Sequence, residues 1–349
     1  MLVERTVSPS SPTPRRPPLW LLPCLSLLLP PLALLQPACG GSTSSVNGDT
    51  GNDSGTDGGG TADGSGESAQ QATAAAASAY CARASACAAV FVTDGFGTLA
   101  QCQTGLQTQL LADLSAPGSS TTVAQLQACT AALPQVSCGD LLGNATVPAC
   151  KTLPGMLSTG AACGTDAQCA STHCIVPTGA VCGTCGPQNP VGGTCFVDSD
   201  CQPGMDCLNG TCAQYVLQGG ACSATQPCRP DFGCVNGTCG TPSPAGTACK
   251  TSAECDQLGG DFCNPESLVC QTITFAQPGG ACGLVSGQLV LCAGPGGTCN
   301  GDDVSPYVGT CVAAAMNGAS CDADGGPLCG YGSACVSGTC TADNPASCK

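Results

Sequence analysis

The chain has 349 residues, of which 34 are cysteine, 49 glycine and 27 proline, while charged residues make up 9% and histidine occurs once. Cysteine at about one residue in ten is the usage of a disulfide scaffold built for an oxidising compartment. The net charge of −15 leaves no basic footprint for phosphate backbones, which excludes nucleic acid as a partner.

In chain order, Arg5, Arg15 and Arg16 precede an apolar run from Leu19 to Leu35. A basic start, an apolar stretch and small residues behind it predict a secretory signal peptide over residues 1–38. A transmembrane helix is the competing reading. Against it stand Pro23, Pro30 and Pro31, in a run of 17 residues at the short limit for a span. The segment Gln36-Pro37-Ala38-Cys39-Gly40-Gly41 resembles a bacterial lipoprotein lipobox in Ala38, Cys39 and the two glycines, although Gln36 stands where leucine is usual. The resemblance implies a diacylglycerol thioether and acyl chains such as palmitate on Cys39. It also implies, through Gly40, sorting to the outer membrane. Residues 39–68 are mostly Gly, Ser, Thr, Asp and Asn, with Glu67 and no base, and predict a flexible acidic tether.

Residues 69–152 turn to Ala, Leu and Gln. An alanine-rich helix is expected to lead into Tyr80, Cys81 and Cys87. Thr98 and Thr122, each followed three places on by Gln, predict capping boxes for helices over 99–114 and 123–133. Leu106, Leu110, Leu111 and Leu114 are expected on the inner face of the first of these. A short fourth helix is expected over 139–142. With Cys81, Cys87, Cys102, Cys129, Cys138 and Cys150, the segment predicts a small helical bundle linked by three disulfides.

Beyond Thr152 the helical pattern gives way to a repeat over 160–348, opened each time by Gly-x-x-Cys at Cys163, Cys195, Cys222, Cys249, Cys282 and Cys321. The regular copies are Cys195, Cys201, Cys207, Cys212 and Cys222, Cys228, Cys234, Cys239. Looser ones are Cys249, Cys255, Cys263, Cys270 and Cys282, Cys292, Cys299, Cys311. The first copy holds Cys163, Cys169, Cys174 and one of Cys182 and Cys185, and the last Cys321, Cys329, Cys335 and Cys340. A unit of about 27 residues cannot bury enough apolar surface to fold alone. Disulfides, each contributing about 2–4 kcal/mol, must replace the core. Asn209-Gly210 and Asn236-Gly237 predict type I′ hairpins that set Cys207 beside Cys212 and Cys234 beside Cys239. Both cysteines of a hairpin then reach the preceding loop, so first-to-third and second-to-fourth pairing is expected. The fold class is therefore small and disulfide-rich: a helical bundle followed by an elongated array of six cysteine-rich β-hairpin repeats.

The Gly-x-x-Cys openings, the middle spacings and the closing Asn-Gly-Thr-Cys resemble short repeats of bacterial secreted lipoproteins and, distantly, the N-terminal cysteine-rich segment of Dickkopf proteins and EB-type modules. The resemblance implies an extracellular disulfide module and carries no defined ligand.

Removing Cys24 with the signal and Cys39 as the lipid site leaves 32 cysteines, 6 in the helical part and 26 in the repeats. Both numbers are even, and Cys348 is left to pair with Cys182 or Cys185. Cys182-Gly-Thr-Cys185 has redox spacing but no βαβ context. Zinc is disfavoured by the single histidine. Asp198 with Asp200, or Asp322 with Asp324, could touch calcium, but such alternating carboxylates read as solvated turns. His173 reads as an exposed loop residue with no nucleophile elbow near it. No enzyme, cofactor or metal is expected. The expected protein is an exported envelope lipoprotein that displays a disulfide-rich rod for adhesion or for binding an extracellular or envelope protein, touching the membrane through lipid alone. A structural envelope component without a ligand is the alternative, and a thiol–disulfide oxidoreductase a third.

Overall fold

The computed structural model describes residues 68–177, 179–301, 308–322 and 326–348. The signal peptide, Cys39 and all of the tether before Ser68 lie outside the described residues, as does Asp324.

Five helices open the described chain: α1 (Ala69–Cys87), α2 (Ala89–Phe96), α3 (Leu99–Ser115), α4 (Val123–Ala132) and α5 (Cys138–Leu142). A full capping box starts α1, where the Ser68 hydroxyl accepts from Gln71 N and Gln71 Oε1 accepts from Ser68 N. At Thr98 and Thr122 only half of the expected box forms. Each hydroxyl accepts from the Gln backbone N–H, but Gln125 sends its amide to Lys151 O at 2.6 Å instead. The short segment Ala89-Val-Phe-Val-Thr-Asp-Gly-Phe96 is a separate helix that buries Val92 and Phe96.

Alanines make the bundle close. Ala72, Ala76, Ala77 and Ala84 are buried on α1, and Gly105 is buried on α3, so small side chains let the backbones approach. Leu106 packs on the main core, and Leu110 and Leu114 on a second cluster around Ala72, Ala76 and Leu126. Leu111 joins neither. Cys81–Cys102 ties α1 to α3, Cys87–Cys138 ties α1 to α5, and Cys129–Cys150 pins α4 to the turn before Lys151.

After the helices come small antiparallel strand pairs held by disulfides. Met205–Leu208 pairs with Thr211–Gln214, and Gly233–Val235 with Thr238–Gly240, each around an Asn-Gly turn with both φ angles positive. Asp261–Cys263 pairs with Cys270–Thr272, and Ser333–Val336 with Thr339–Ala342. Around Cys163 the pair widens to three strands, and around Cys282 to five.

A common framework recurs in these units. Disulfides run first-to-third and second-to-fourth, as in Cys195–Cys207 with Cys201–Cys212 and Cys249–Cys263 with Cys255–Cys270. The pairing is the same at Cys163–Cys174 with Cys169–Cys185, and at Cys222–Cys234 with Cys228–Cys239. It returns at Cys282–Cys299 with Cys292–Cys311, and at Cys321–Cys335 with Cys329–Cys340. The opening glycine, as at Gly192 (φ 83°) and Gly219 (φ 81°), takes a left-handed angle that suits only glycine. Its N–H donates to the carbonyl of the closing cysteine, Cys212 and Cys239 respectively. Six places before each opening cysteine a residue bridges in parallel to the second cysteine, as Asn189 does to Cys201 and Val216 to Cys228.

The units do not form the expected elongated rod. They curl around the helices, each touching them in turn. Ser120 N donates to Ala167 O at 2.9 Å, and Gly204 N to Asn144 O at 2.8 Å. Arg229 pairs with Asp140 at 3.2 Å, and Leu258 packs on the helical core. Gly294 N donates to Thr93 O at 3.0 Å. Tyr331 completes the circuit, buried in the helical core with its ring 4.6 Å from that of Phe96. The Cys182–Cys348 disulfide then joins the last segment to the first unit and closes a ring. Strand-poor units with cysteine cores have little apolar surface to offer one another, whereas the helices leave apolar faces uncovered. Burial on that hub, rather than unit-to-unit stacking, sets the path.

Candidate functional site

Three of the units, those opened by Cys163, Cys195 and Cys249, are held inside by side chains just ahead of the second cysteine. Asp166, Asp198 and Ser252 accept from the N–H of the third cysteine, Cys174 (2.6 Å), Cys207 (2.7 Å) and Cys263 (3.2 Å). Two places on, Gln168, Asp200 and Glu254 accept from N–H groups next to the first cysteine, at Gly164 and Thr165, Phe196 and Val197, and Lys250. Asp198 and Asp200 are therefore not solvated turn residues as expected. They are buried acceptors that satisfy backbone donors inside a thin unit. The sequence signal was present in Asp166-Ala-Gln168-Cys169, Asp198-Ser-Asp200-Cys201 and Ser252-Ala-Glu254-Cys255, an acceptor two places from another before the same cysteine.

On this framework sits the one histidine. His173 is 1% exposed, which overturns its reading as an exposed loop residue. Nδ1 lies 3.3 Å from Asp166 Oδ1 in its own unit, and Nε2 lies 3.3 Å from Asp200 Oδ1 in the next. Burial opposes a charge on the ring, but the two carboxylates outweigh it and raise its pKa to about 9. Asp200 is held below its ordinary value despite burial, by His173 and by the N–H groups of Phe196 and Val197. A ring paired on both nitrogens keeps its proton and clamps two units together. The residues flanking His173 give no hint of this, because the second partner, Asp200, arrives from a different unit.

Asp198, in the turn before the hairpin, and Asp206, on the hairpin's first strand, are both buried and their carboxyl groups meet. Burial and the neighbouring Asp206 raise Asp198 to about 8, so the pair shares a proton.

The cysteine chemistry is equally specific. Cys182 bonds Cys348 and Cys185 bonds Cys169, so the C-x-x-C segment contributes to two separate disulfides and forms no dithiol pair of its own. The redox spacing of Cys182 and Cys185 is therefore not a dithiol pair in this structure. The sulfurs of Cys163, Cys169 and Cys185 lie within 4.8 Å of one another, a spacing that resembles a metal cage. Each is spent in a disulfide and carries no thiolate to bind an ion. Among the described residues, no helix is long and apolar enough to cross a membrane.

Comparisons of the chain with protein-family models, with curated proteins and with solved structures returned no match. The architecture by itself defines a disulfide-rich protein of extracellular type, compatible with a binding or structural module.

Proposed function

We propose that this chain is an exported cell-envelope lipoprotein, anchored through Cys39 and free of catalytic activity. Its head of six copies of one cysteine-rich unit, wrapped on a helical hub, binds an extracellular or envelope protein. Dense disulfide pairing supports export to an oxidising compartment. The lipobox-like segment ending in Ala38-Cys39 supports the anchor.

The observation that carries binding is Phe196. It is 62% exposed, directly follows the disulfide-bonded Cys195, and has its N–H fixed by Asp200 at 2.7 Å. A large exposed aromatic on a backbone already fixed in place loses less chain entropy on docking, which suits an interface anchor. Crosslinking on intact cells, with wild type and Phe196→Ser compared, tests this. Capture of one protein by wild type and its loss in the variant are expected. Equal or no capture by both would favour a structural envelope component. Fatty-acid labelling that disappears in Cys39→Ser tests the anchor separately.

A further inference from the structure

Between α3, α4 and the Cys163–Cys185 unit lies a cavity of about 210 Å³, walled by Leu110, Leu126 and Val176 and carrying Asp113 and Gln125. At about 30 Å³ per water, it holds some seven waters or one small organic molecule. Its polar groups are unbalanced. Asp113 takes a hydrogen bond from Thr165, and no ion pair among the described residues involves it. Gln125 spends its amide N–H on Lys151 O, which leaves Oε1 buried with no donor. Asp166 also borders the cavity, but it is engaged by Cys174 N and by His173.

A buried acceptor without a donor costs about 1–3 kcal/mol, so the cavity is short of hydrogen-bond donors and of positive charge. An inorganic divalent cation would want more oxygens than one available carboxylate and one amide. A primary ammonium supplies three N–H donors and a single charge from one atom, and its short hydrocarbon chain suits the Leu110, Leu126 and Val176 walls. The geometry points to this cavity as a binding site for a small primary alkylammonium, with Asp113 as counter-ion and Gln125 Oε1 as second acceptor. The ligand class is thus an amine of about five to seven heavy atoms, bound between the helical hub and the first unit.

The test uses the full chain and n-butylammonium as probe, at pH 8, above the value of about 7 to which burial, helped by the like charge of Asp166, raises Asp113. Calorimetry should show one site with a Kd of about 1 mM. n-Butanol, which lacks the charge, and tetramethylammonium, which lacks N–H donors, should each bind at least about tenfold more weakly. In wild-type protein carrying carbon-13 at aspartate carboxyls, the Asp113 resonance should move on titration. Asp113→Asn should abolish binding while retaining the wild-type circular dichroism. Butanol binding as tightly as butylammonium would overturn the proposal. So would an Asp113 resonance that stays fixed at saturating amine, a result that does not depend on any variant folding.

Discussion

His173 Nε2 stands 3.3 Å from Asp200 Oδ1, so a side chain just before Cys174 closes on a carboxylate that precedes Cys201 in the following unit. The two units share no disulfide with each other, and this ion pair does that work. Removing the ring leaves Asp166 and Asp200 facing each other without a cation. His173→Ala should cost about 3–5 kcal/mol, the range for breaking a buried pair. His173→Gln, which keeps polar contact with both carboxylates, should cost less. Denaturant titration of wild type and the two variants reads the differences: a gap between His173→Gln and wild type reports the charge, and equal midpoints for all three would show that the ion pair contributes nothing.

The sign of the pH dependence follows from the same groups. The His173 pKa is raised to about 9 in the folded chain, against its ordinary value of 6.5. Its contribution is therefore complete below about pH 6.5 and is lost as pH rises through about 9. Asp198, raised to about 8 by burial and Asp206, and Asp113, raised to about 7 by burial, hold protons that the unfolded chain releases from about pH 4 upward. All three act in one direction. The unfolding temperature should be higher at pH 5 than at pH 9, and a profile that rises with pH would contradict the charged state assigned to His173.

Closure of the ring rests on Cys182–Cys348 and on a tight seam beside it. A Cβ on Gly164 would come within 2.5 Å of Pro345 Cα. Replacing Cys182 and Cys348 with serine should remove about 2–4 kcal/mol and free the C-terminal end first. Amide exchange should rise over 331–347 and stay unchanged over 195–240. Gly164→Ala should give a milder form of the same pattern, since the added methyl must displace the Pro345 backbone.

Reduction should treat the two parts differently. In the cysteine-rich units the buried clusters are largely the cysteines themselves, as at Cys249, Cys255, Cys263 and Cys270. In the helices, the Ser68, Thr98 and Thr122 caps and the contacts among Ala72, Ala76 and Leu126 do not depend on disulfides. With the parts made separately, thiol reductant should abolish structure beyond Cys163 and leave partial helicity in 68–150. Equal loss in far-ultraviolet circular dichroism would refute the distinction.

What could be read from the sequence was local. Asn209-Gly210 specifies its turn by dihedral preference, and Thr98 and Thr122 specify helix starts by a single hydroxyl. The long-range features were not legible. Phe96 and Tyr331 are 235 positions apart, and nothing near Tyr331 says that its ring belongs to a helical core. The expectation of a rod failed for that reason: repeat spacing reports the unit, while curvature is decided by where the units find apolar surface. His173 failed likewise, since burial of a lone histidine depends on a neighbouring unit that its own flanking residues do not describe.

The central structural claim is a closed ring of units on a helical hub. Small-angle scattering of a fragment starting at Ser68 tests it most directly. A compact body of that length should have a radius of gyration of about 19 Å and a single-peaked distance distribution. A much larger radius with a long-tailed distribution would mean that the units extend as a row and that Tyr331 does not reach Phe96.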